Sequence, residues 1–339
     1  MKITHEVVSL RTTHPFVIAR GGTSEYRVVL VRVTDGDGAE GIGEASPSRF
    51  YGETADTVPG ALAQFAPVLE KADAWSIEAI EAELTRVIRY NAAAKSAVSG
   101  ALHDLLGKRL GVPLYKLWGL DPRRAPLSSF TIGIGDAAEL RRKVSEAAQY
   151  PVLKVKLGSD RDEEIIRTIR GAAPDKTLRV DANAAWSPKH ALNMIELLAE
   201  LGVEFVEQPV PAHDIEGLRF VRERSPLPVI ADESCVVLSD VPRMAGVVDG
   251  INIKIAKCGG LKQALKMIAT ARAHDLLVMM GCMIETSVGI AQAAHMASLL
   301  DYADLDGAAL LANDPYRGVS IANGKIALSG APGLGVERT

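Results

Sequence analysis

Leu178-Arg-Val-Asp-Ala-Asn183, Glu204-Phe-Val-Glu-Gln-Pro209 and Val229-Ile-Ala-Asp-Glu-Ser234 share one design. Each is a short β-rich run that ends in a carboxylate, at Asp181, Glu207 and Asp232. The acids recur at steps of 26 (207 − 181) and 25 (232 − 207) residues, one strand plus one helix per step. Similar runs flank them: Phe130–Ile134 and Leu153–Leu157 before, Ile251–Ile255, Leu276–Met283 and a weaker Ala303–Asp306 after. Strands separated by helical stretches imply parallel βαβ units. Eight such units imply a closed barrel. With the last helix short or replaced, the α/β fold expected over residues 123–314 is a modified TIM barrel, (β/α)7β.

Outside this repeat the rhythm differs. Residues up to about 50 read as strands: Tyr26–Val33 is β-branched, and Asp35-Gly-Asp-Gly38 is a hairpin signal. Ala61–Leu69, Ile77–Tyr90 and Ala93–Leu110 carry helical spacing, and Gly111 and Pro113 punctuate the last of them. Strands and then helices, in blocks, predict a separate N-terminal α+β domain over residues 1–122. The Gly- and Pro-rich segment of about 315–339 is expected to return to it as loops and a short strand.

Composition excludes several classes. Of 339 residues, 47% are hydrophobic and 24% charged, an ordinary globular balance that argues against disorder. A formal charge of −4 provides no basic field for nucleic acid. The apolar run Leu276–Ile284 is far short of a bilayer span, and the N-terminus alternates charge with apolar residues, unlike a signal peptide. Cys235, Cys258 and Cys282 leave one thiol unpaired and suit a reducing compartment, so a cytoplasmic location is expected. They read as small buried residues rather than soft-metal ligands. Gly41-Ile-Gly43 lacks the third glycine of a dinucleotide loop, and no Walker loop, H-E-x-x-H or C-x-x-C occurs. His295, in an Ala-rich helical stretch, reads as a packed or surface histidine.

The chemistry lies at the strand ends. In a parallel barrel, Asp181, Glu207 and Asp232 fall on adjacent strands at one mouth, where active sites are built. Three such acids repel and desolvate badly without a cation, and hard oxygen donors favour Mg²⁺ over Zn²⁺. The competing reading is three solvated loop acids. Lys154 and Lys156 share a face of the preceding strand, and Lys254 lies on the strand after the last acid. Amines beside a cation are expected to have lowered pKa values, which suits bases near neutral pH. Lys257, beside the Gly259-Gly260 turn, reads instead as a lysine snorkelling from the rim. Two bases with a metal between them fit proton removal α to a carboxylate and its return from the opposite face. Asp304-Leu-Asp306 places two more acids at the mouth. They would select the cationic end of a zwitterion, or else form an Asp-Gly turn before Gly307.

These motifs resemble the enolase superfamily, muconate-lactonizing subgroup, over nearly the whole chain. The resemblance rests on Gly41-Ile-Gly-Glu-Ala45, Ala101-Leu-His-Asp-Leu-Leu-Gly107, the K-x-K of Lys154 and Lys156, and Val180-Asp-Ala-Asn183. It also rests on Glu207-Gln-Pro209, Ala231-Asp-Glu-Ser234 and the N-I-K-x-x-K-x-G-G of Asn252–Gly260. It implies the superfamily's known chemistry, a lysine base with Mg²⁺ stabilising an ene-diolate, under an N-terminal capping domain. Lys156 and Lys254 would be the acid/base pair, and Lys154 would support Lys156 and touch the substrate carboxylate. Asp181, Glu207 and Asp232 would hold one Mg²⁺ per subunit, with Asn183 and Glu233 orienting ligands or a lysine.

The D-x-D of Asp304 and Asp306 resembles the dipeptide epimerases, where the pair binds the substrate's α-ammonium group. Phe16-Val-Ile-Ala-Arg-Gly21 with Ser24-Glu-Tyr-Arg27 resembles the mobile loop of the L-Ala-D/L-Glu epimerases of murein peptide recycling. Arg20 would then take the substrate's Glu side chain through its bidentate fork, or else be a solvated loop arginine. Thr131 matches a substrate-contacting threonine, and Met283 and Glu285 would line the dipeptide's path. The expected partner is a small dipeptide, with neither nucleic acid nor membrane, in a homo-oligomer. The alternatives are muconate cycloisomerisation, o-succinylbenzoate synthesis, epimerisation of hydrophobic or cationic dipeptides, and a non-catalytic barrel.

Overall fold

The computed structural model describes residues 1–339. The β-branched run of the first domain lies in β2 (Gly21–Thr34), between β1 (Lys2–Ile18) and β3 (Glu40–Ala45) of an antiparallel sheet. The Asp35 carboxylate accepts the Asp37 and Ala39 amides at 2.9 and 3.1 Å, which shapes the expected β2–β3 turn. Val29, Val31 and Val33 share one face of β2 and pack on α1 (Val58–Lys71), α2 (Ile77–Val87) and α3 (Ala92–Leu110). α3 runs against β3 with almost no gap. A Cβ on Gly41 or Gly43 would come within 2.0 Å of the Ala101 or Ala97 carbonyl oxygen. The Gly-x-Gly pair is therefore a close-packing device between strand and helix.

All eight expected barrel strands form. They are β4 (Phe130–Ile132), β5 (Val152–Lys156), β6 (Thr177–Asp181), β7 (Val203–Glu207), β8 (Val229–Ala231), β9 (Gly250–Ile253), β10 (Leu277–Gly281) and β11 (Tyr302–Asp304). They pair in sequence order, all parallel. Ser128 bridges Ala303, and the Ser129 amide donates to the Ala303 carbonyl at 3.0 Å, bringing the two end strands together around the ring. Several strands stop short of the apolar runs in the sequence. The backbone leaves the ladder near the mouth, and Asp232, Lys254 and Asp306 lie just beyond their strands.

The two-residue alternation of the strands sorts the barrel. Leu178, Val180, Val206 and Ile251 point outward into a core of 59 residues shared with the surrounding helices. Inside, Phe205, Ile230 and Met279 make a lower apolar layer. Arg179 completes that layer, 4.9 Å from the Tyr302 ring and 5.4 Å from that of Phe205. The next inward position up each of β6, β7 and β8 is a carboxylate.

After the barrel the chain forms two short strand pairs, Tyr316–Arg317 with Glu337–Arg338 and Val319–Ala322 with Lys325–Leu328, rather than one strand. Returning contacts reach the first domain, with the Leu334 amide on Asp104 at 2.7 Å and Arg32 on the Tyr316 hydroxyl at 2.6 Å. No helix is long and apolar enough to cross a membrane.

Candidate active site

Register builds the mouth. Lys156 pairs with Asp181 across β5–β6, and Asp181 pairs with Glu207 across β6–β7. Asp232 and Lys254 follow β8 and β9, so an arc of five adjacent strands reads Lys, Asp, Glu, Asp, Lys. All five side chains are buried. Lys156 Nζ lies 2.6 Å from Asp181 Oδ2, and Lys254 Nζ lies 2.8 Å from Asp232 Oδ2. Lys154 sits among Glu207, Asp304 and Asp181 at 2.7, 2.8 and 3.3 Å.

The three acids fit a hard cation. One oxygen from each of Asp181, Glu207 and Asp232 lies within 4.8 Å of the others. Glu207 Oε2 has the Lys154 ammonium 2.7 Å away as an ion-pair partner but no hydrogen bond of its own. Neighbours fix the remaining oxygens. Asn252 donates to Glu207 Oε1 at 2.8 Å, and the Asn183 amide donates to Asp181 Oδ1 at 2.8 Å. Asn183 also reaches Asp181 through its side chain, at 3.2 Å, from a left-handed backbone with φ of 47°. An all-oxygen donor set without imidazole or thiolate suits Mg²⁺.

Lys257 does not snorkel from the rim. It is fully buried, and its Nζ donates to Asp232 Oδ1 and the Asp232 carbonyl, each at 2.6 Å, and to the Cys235 carbonyl at 3.0 Å. The chain turns into a short helix, Ile255–Cys258, directly after Lys254. Residue i+3 therefore returns to the side from which Lys254 points.

With only the acids as neighbours, two of the amines are held up rather than lowered. Burial works against the Lys154 and Lys254 ammonium groups, but adjacent carboxylates outweigh it and hold both well above the usual lysine range. Asp181 feels burial upward and Lys156 and Lys154 downward, and settles at about 2. Burial and the Asp181 charge push Glu207 up to about 7, and burial and Asp304 push Asp306 to about 7. The mouth holds more carboxylate than its amines can neutralise.

Above the acids lies a cavity of about 680 Å³ between the two domains. Lys154, Lys156, Lys254, Thr131, Asp304 and Asp306 line it from the barrel. Asn183, Glu233 and Met283 add to that wall, and Arg20 closes it from the first domain. Asp304 accepts from Ser129 Oγ and Lys154 at 2.6 and 2.8 Å, while Asp306 accepts the Thr131 amide at 2.6 Å. Arg20 is engaged by the protein itself, donating to the Asn183 carbonyl at 3.0 Å and lying 2.9 Å from Glu233. Its guanidinium also lies 4.4 Å from the Phe50 ring centre.

Glu285 does not line the cavity. A helix, Ser287–Ala294, starts just after it, and its buried carboxylate folds back onto the Met283 amide at 3.1 Å. Cys235 and Cys258 are buried as expected, but Cys282 is only partly buried and reaches the cavity. His295 is packed, accepting from the Tyr115 amide at 3.3 Å. Tyr51 also lines the cavity, and burial and the Asp232 charge push its phenol upward. Its loop carries no motif that sequence reading could have caught. Lys257 and Asn252 stood inside the N-I-K-x-x-K signal, so their positions, though not their directions, were legible.

Fold and site define a two-domain barrel protein with an oxygen cradle between lysines. Residues 2–119 match the mandelate racemase / muconate lactonizing enzyme N-terminal domain, and residues 136–339 match the enolase C-terminal domain-like family. The chain belongs to this branch of the enolase superfamily. It is 41% identical to an L-Ala-D/L-Glu epimerase of Bacteroides thetaiotaomicron, covering 100% of this chain and 88% of that one. It is 42% identical to an L-Ala-D/L-amino acid epimerase of Pedosphaera parvula, covering 98% and 97%. A crystal structure of a dipeptide epimerase from Enterococcus faecalis V583, complexed with Mg and L-Leu-L-Tyr, superposes with a TM-score of 0.94. That match covers 99% of both chains at 32% identity.

Proposed function

We propose that the protein is a Mg²⁺-dependent dipeptide epimerase, an isomerase that inverts the α-carbon of the C-terminal residue, with L-Ala-L-Glu and L-Ala-D-Glu as substrates. One observation carries this reading: Lys156 and Lys254 stand at opposite ends of an arc whose middle is the acid triad. A substrate carboxylate directed at the triad would present the two faces of its α-carbon to two different amines. One lysine, neutral, takes the α-proton; the other, as ammonium, delivers a proton to the opposite face. Lys154 adds positive charge beside Lys156. A divalent cation held by Asp181, Glu207 and Asp232 supplies charge that stabilises the negative charge developing on the substrate carboxylate. Asp304 and Asp306 receive the substrate ammonium, which neither a muconate nor o-succinylbenzoate possesses. The three unpaired cysteines suit a cytoplasmic location, and Ala-Glu substrates suit a role in murein peptide recycling.

A second reading is favoured by a specific contact. Arg20 is already paired with Glu233, so an acidic side chain must compete for it, and a neutral second residue would not. The deciding experiment is a dipeptide library in D₂O followed by mass spectrometry and chiral analysis. Deuterium is expected at the α-carbon of the C-terminal residue alone, with inversion, and most rapidly for Ala-Glu. Inversion with the original hydrogen retained would overturn the two-lysine route. Faster exchange in dipeptides with neutral second residues would move the substrate assignment.

A further inference from the structure

Gly41-Ile-Gly-Glu-Ala45 contains a carboxylate that the proposed chemistry does not use. Glu44, on β3 of the first domain, is buried and points at the barrel. Its Oε1 accepts the Thr286 amide at 3.1 Å and Ser46 Oγ at 3.2 Å. Its Oε2 accepts the Gly289 amide at 3.3 Å and the Thr286 hydroxyl. Apart from Ser46, these donors belong to the N-cap and first turn of the helix Ser287–Ala294, whose free amides and dipole favour an acceptor there. The main chain of the same residue is tied as well, with the Glu44 amide donating to Gln292 Oε1 at 2.9 Å. Ser46 extends the contact by donating to the Ile284 carbonyl at 3.3 Å. The space is tight: a Cβ on Gly289 would meet Glu44 Oε1 at 3.1 Å and Glu285 Oε2 at 2.8 Å.

The segment so gripped matters because of what precedes it. Cys282, Met283 and Ile284 follow β10 and form part of the cavity wall. We propose that Glu44 is a positioning residue: from the first domain, it seats the barrel loop 282–286 and thereby sets the wall against which substrate packs. Glu44 touches neither the cavity nor the acid triad, so its effect on substrate passes through Met283 and Ile284. The substrate half of this proposal rests on the dipeptide reading, whereas the anchoring half does not.

The test compares the full-length protein with Glu44→Gln, which preserves size but replaces an oxygen, able to accept with or without its proton, by an NH₂ that only donates. Amide hydrogen exchange should accelerate at residues 282–289 and stay unchanged in the β6–β8 strands. KM for Ala-Glu should rise about tenfold with kcat within about threefold, and the Mg²⁺ dissociation constant should not move. A merely structural residue would lower stability without this KM-against-kcat split. Unchanged exchange at 282–289 would overturn the proposal, and so would faster exchange with an unaltered KM. If the wild type turns over no dipeptide, the function reading falls, and the exchange comparison decides Glu44 by itself. Should Glu44→Gln fail to fold, Glu44→Asp, which withdraws the carboxylate by one methylene from Thr286 and Gly289, should move KM the same way by a smaller factor.

Discussion

Two buried polar regions lie side by side in this molecule, and burial meets different partners in each. At the mouth, charges of the other sign oppose burial for Asp181, which settles at about 2, and for Lys154 and Lys254, which are held above the usual lysine range. Glu207 and Asp306, crowded by other acids, rise to about 7. At the seam between the domains, burial prevails. It pushes Glu44 up to about 8, with help from Glu285, which itself rises to about 7. It also holds His103 and His295 down at about 4. The seam groups find mostly neutral donors and acceptors, such as the Thr286 and Gly289 amides for Glu44 and the Ser99 carbonyl for His103. Opposite charges preserve charge in the interior, where it can bind an ion or move a proton, while neutral partners let burial neutralise the group. The mouth is built for chemistry and the seam for cohesion.

The hardest test of that contrast is at the mouth. Lys156→Ala or Lys254→Ala should lower epimerisation by roughly 10³-fold or more, while either protein remains folded by circular dichroism. Near wild-type turnover from either variant would end the two-base account. Next in size is the response to metal. Mg²⁺ at about 100 times its dissociation constant should raise unfolding stability by about 2.7 kcal/mol, and EDTA should reverse the gain. Glu207→Gln should abolish most of that increment in chemical denaturation; an increment that survives would place the cation elsewhere.

The seam predicts a smaller effect with a defined sign. Unfolded histidine takes a proton near pH 6.5, whereas buried His103 and His295 refuse it until about 4. Their contribution is complete above pH 6.5 and is lost as pH falls through that window, by roughly 2 kcal/mol each at pH 5. Glu44 and Glu285 tilt the other way, since their raised values cost stability as pH rises from about 4.5 toward 7 or 8. The informative quantity is therefore a difference. Between pH 7 and pH 5, the urea midpoint of His103→Gln/His295→Gln should fall less than that of the wild type. Parallel curves would show that these histidines are not held neutral by burial.

The smallest effect expected concerns the boundary between the regions. Arg20→Ala should lower kcat/KM for Ala-Glu by about tenfold, the scale of one charge-assisted contact. It should leave a dipeptide with a neutral second residue nearly unchanged. Equal losses on both would assign Arg20 to holding Glu233 rather than to reading substrate.

The mouth was largely legible because its residues obey two short-range rules. The β/α repeat sets which strands carry Asp181, Glu207 and Asp232, and strand alternation sends Lys154 and Lys156 to the same face. Lys257 was misread because a single turn of helix after Lys254, invisible to strand periodicity, swings it onto Asp232. Glu285 was misread in the same way, since the start of the next helix turns it away from the cavity. The crowding of acids on Lys154 was not legible, because Asp181, Glu207 and Asp304 reach it from three different strands.

By itself the sequence determined the eightfold strand repeat, the acid triad and the flanking lysines, because each depends on spacing within one or two neighbouring units. Only the tertiary structure decided that Glu44 grips a loop 242 residues away and that Arg20 meets Glu233. Those contacts join separate domains, and no local period encodes which side chain will face which across a seam.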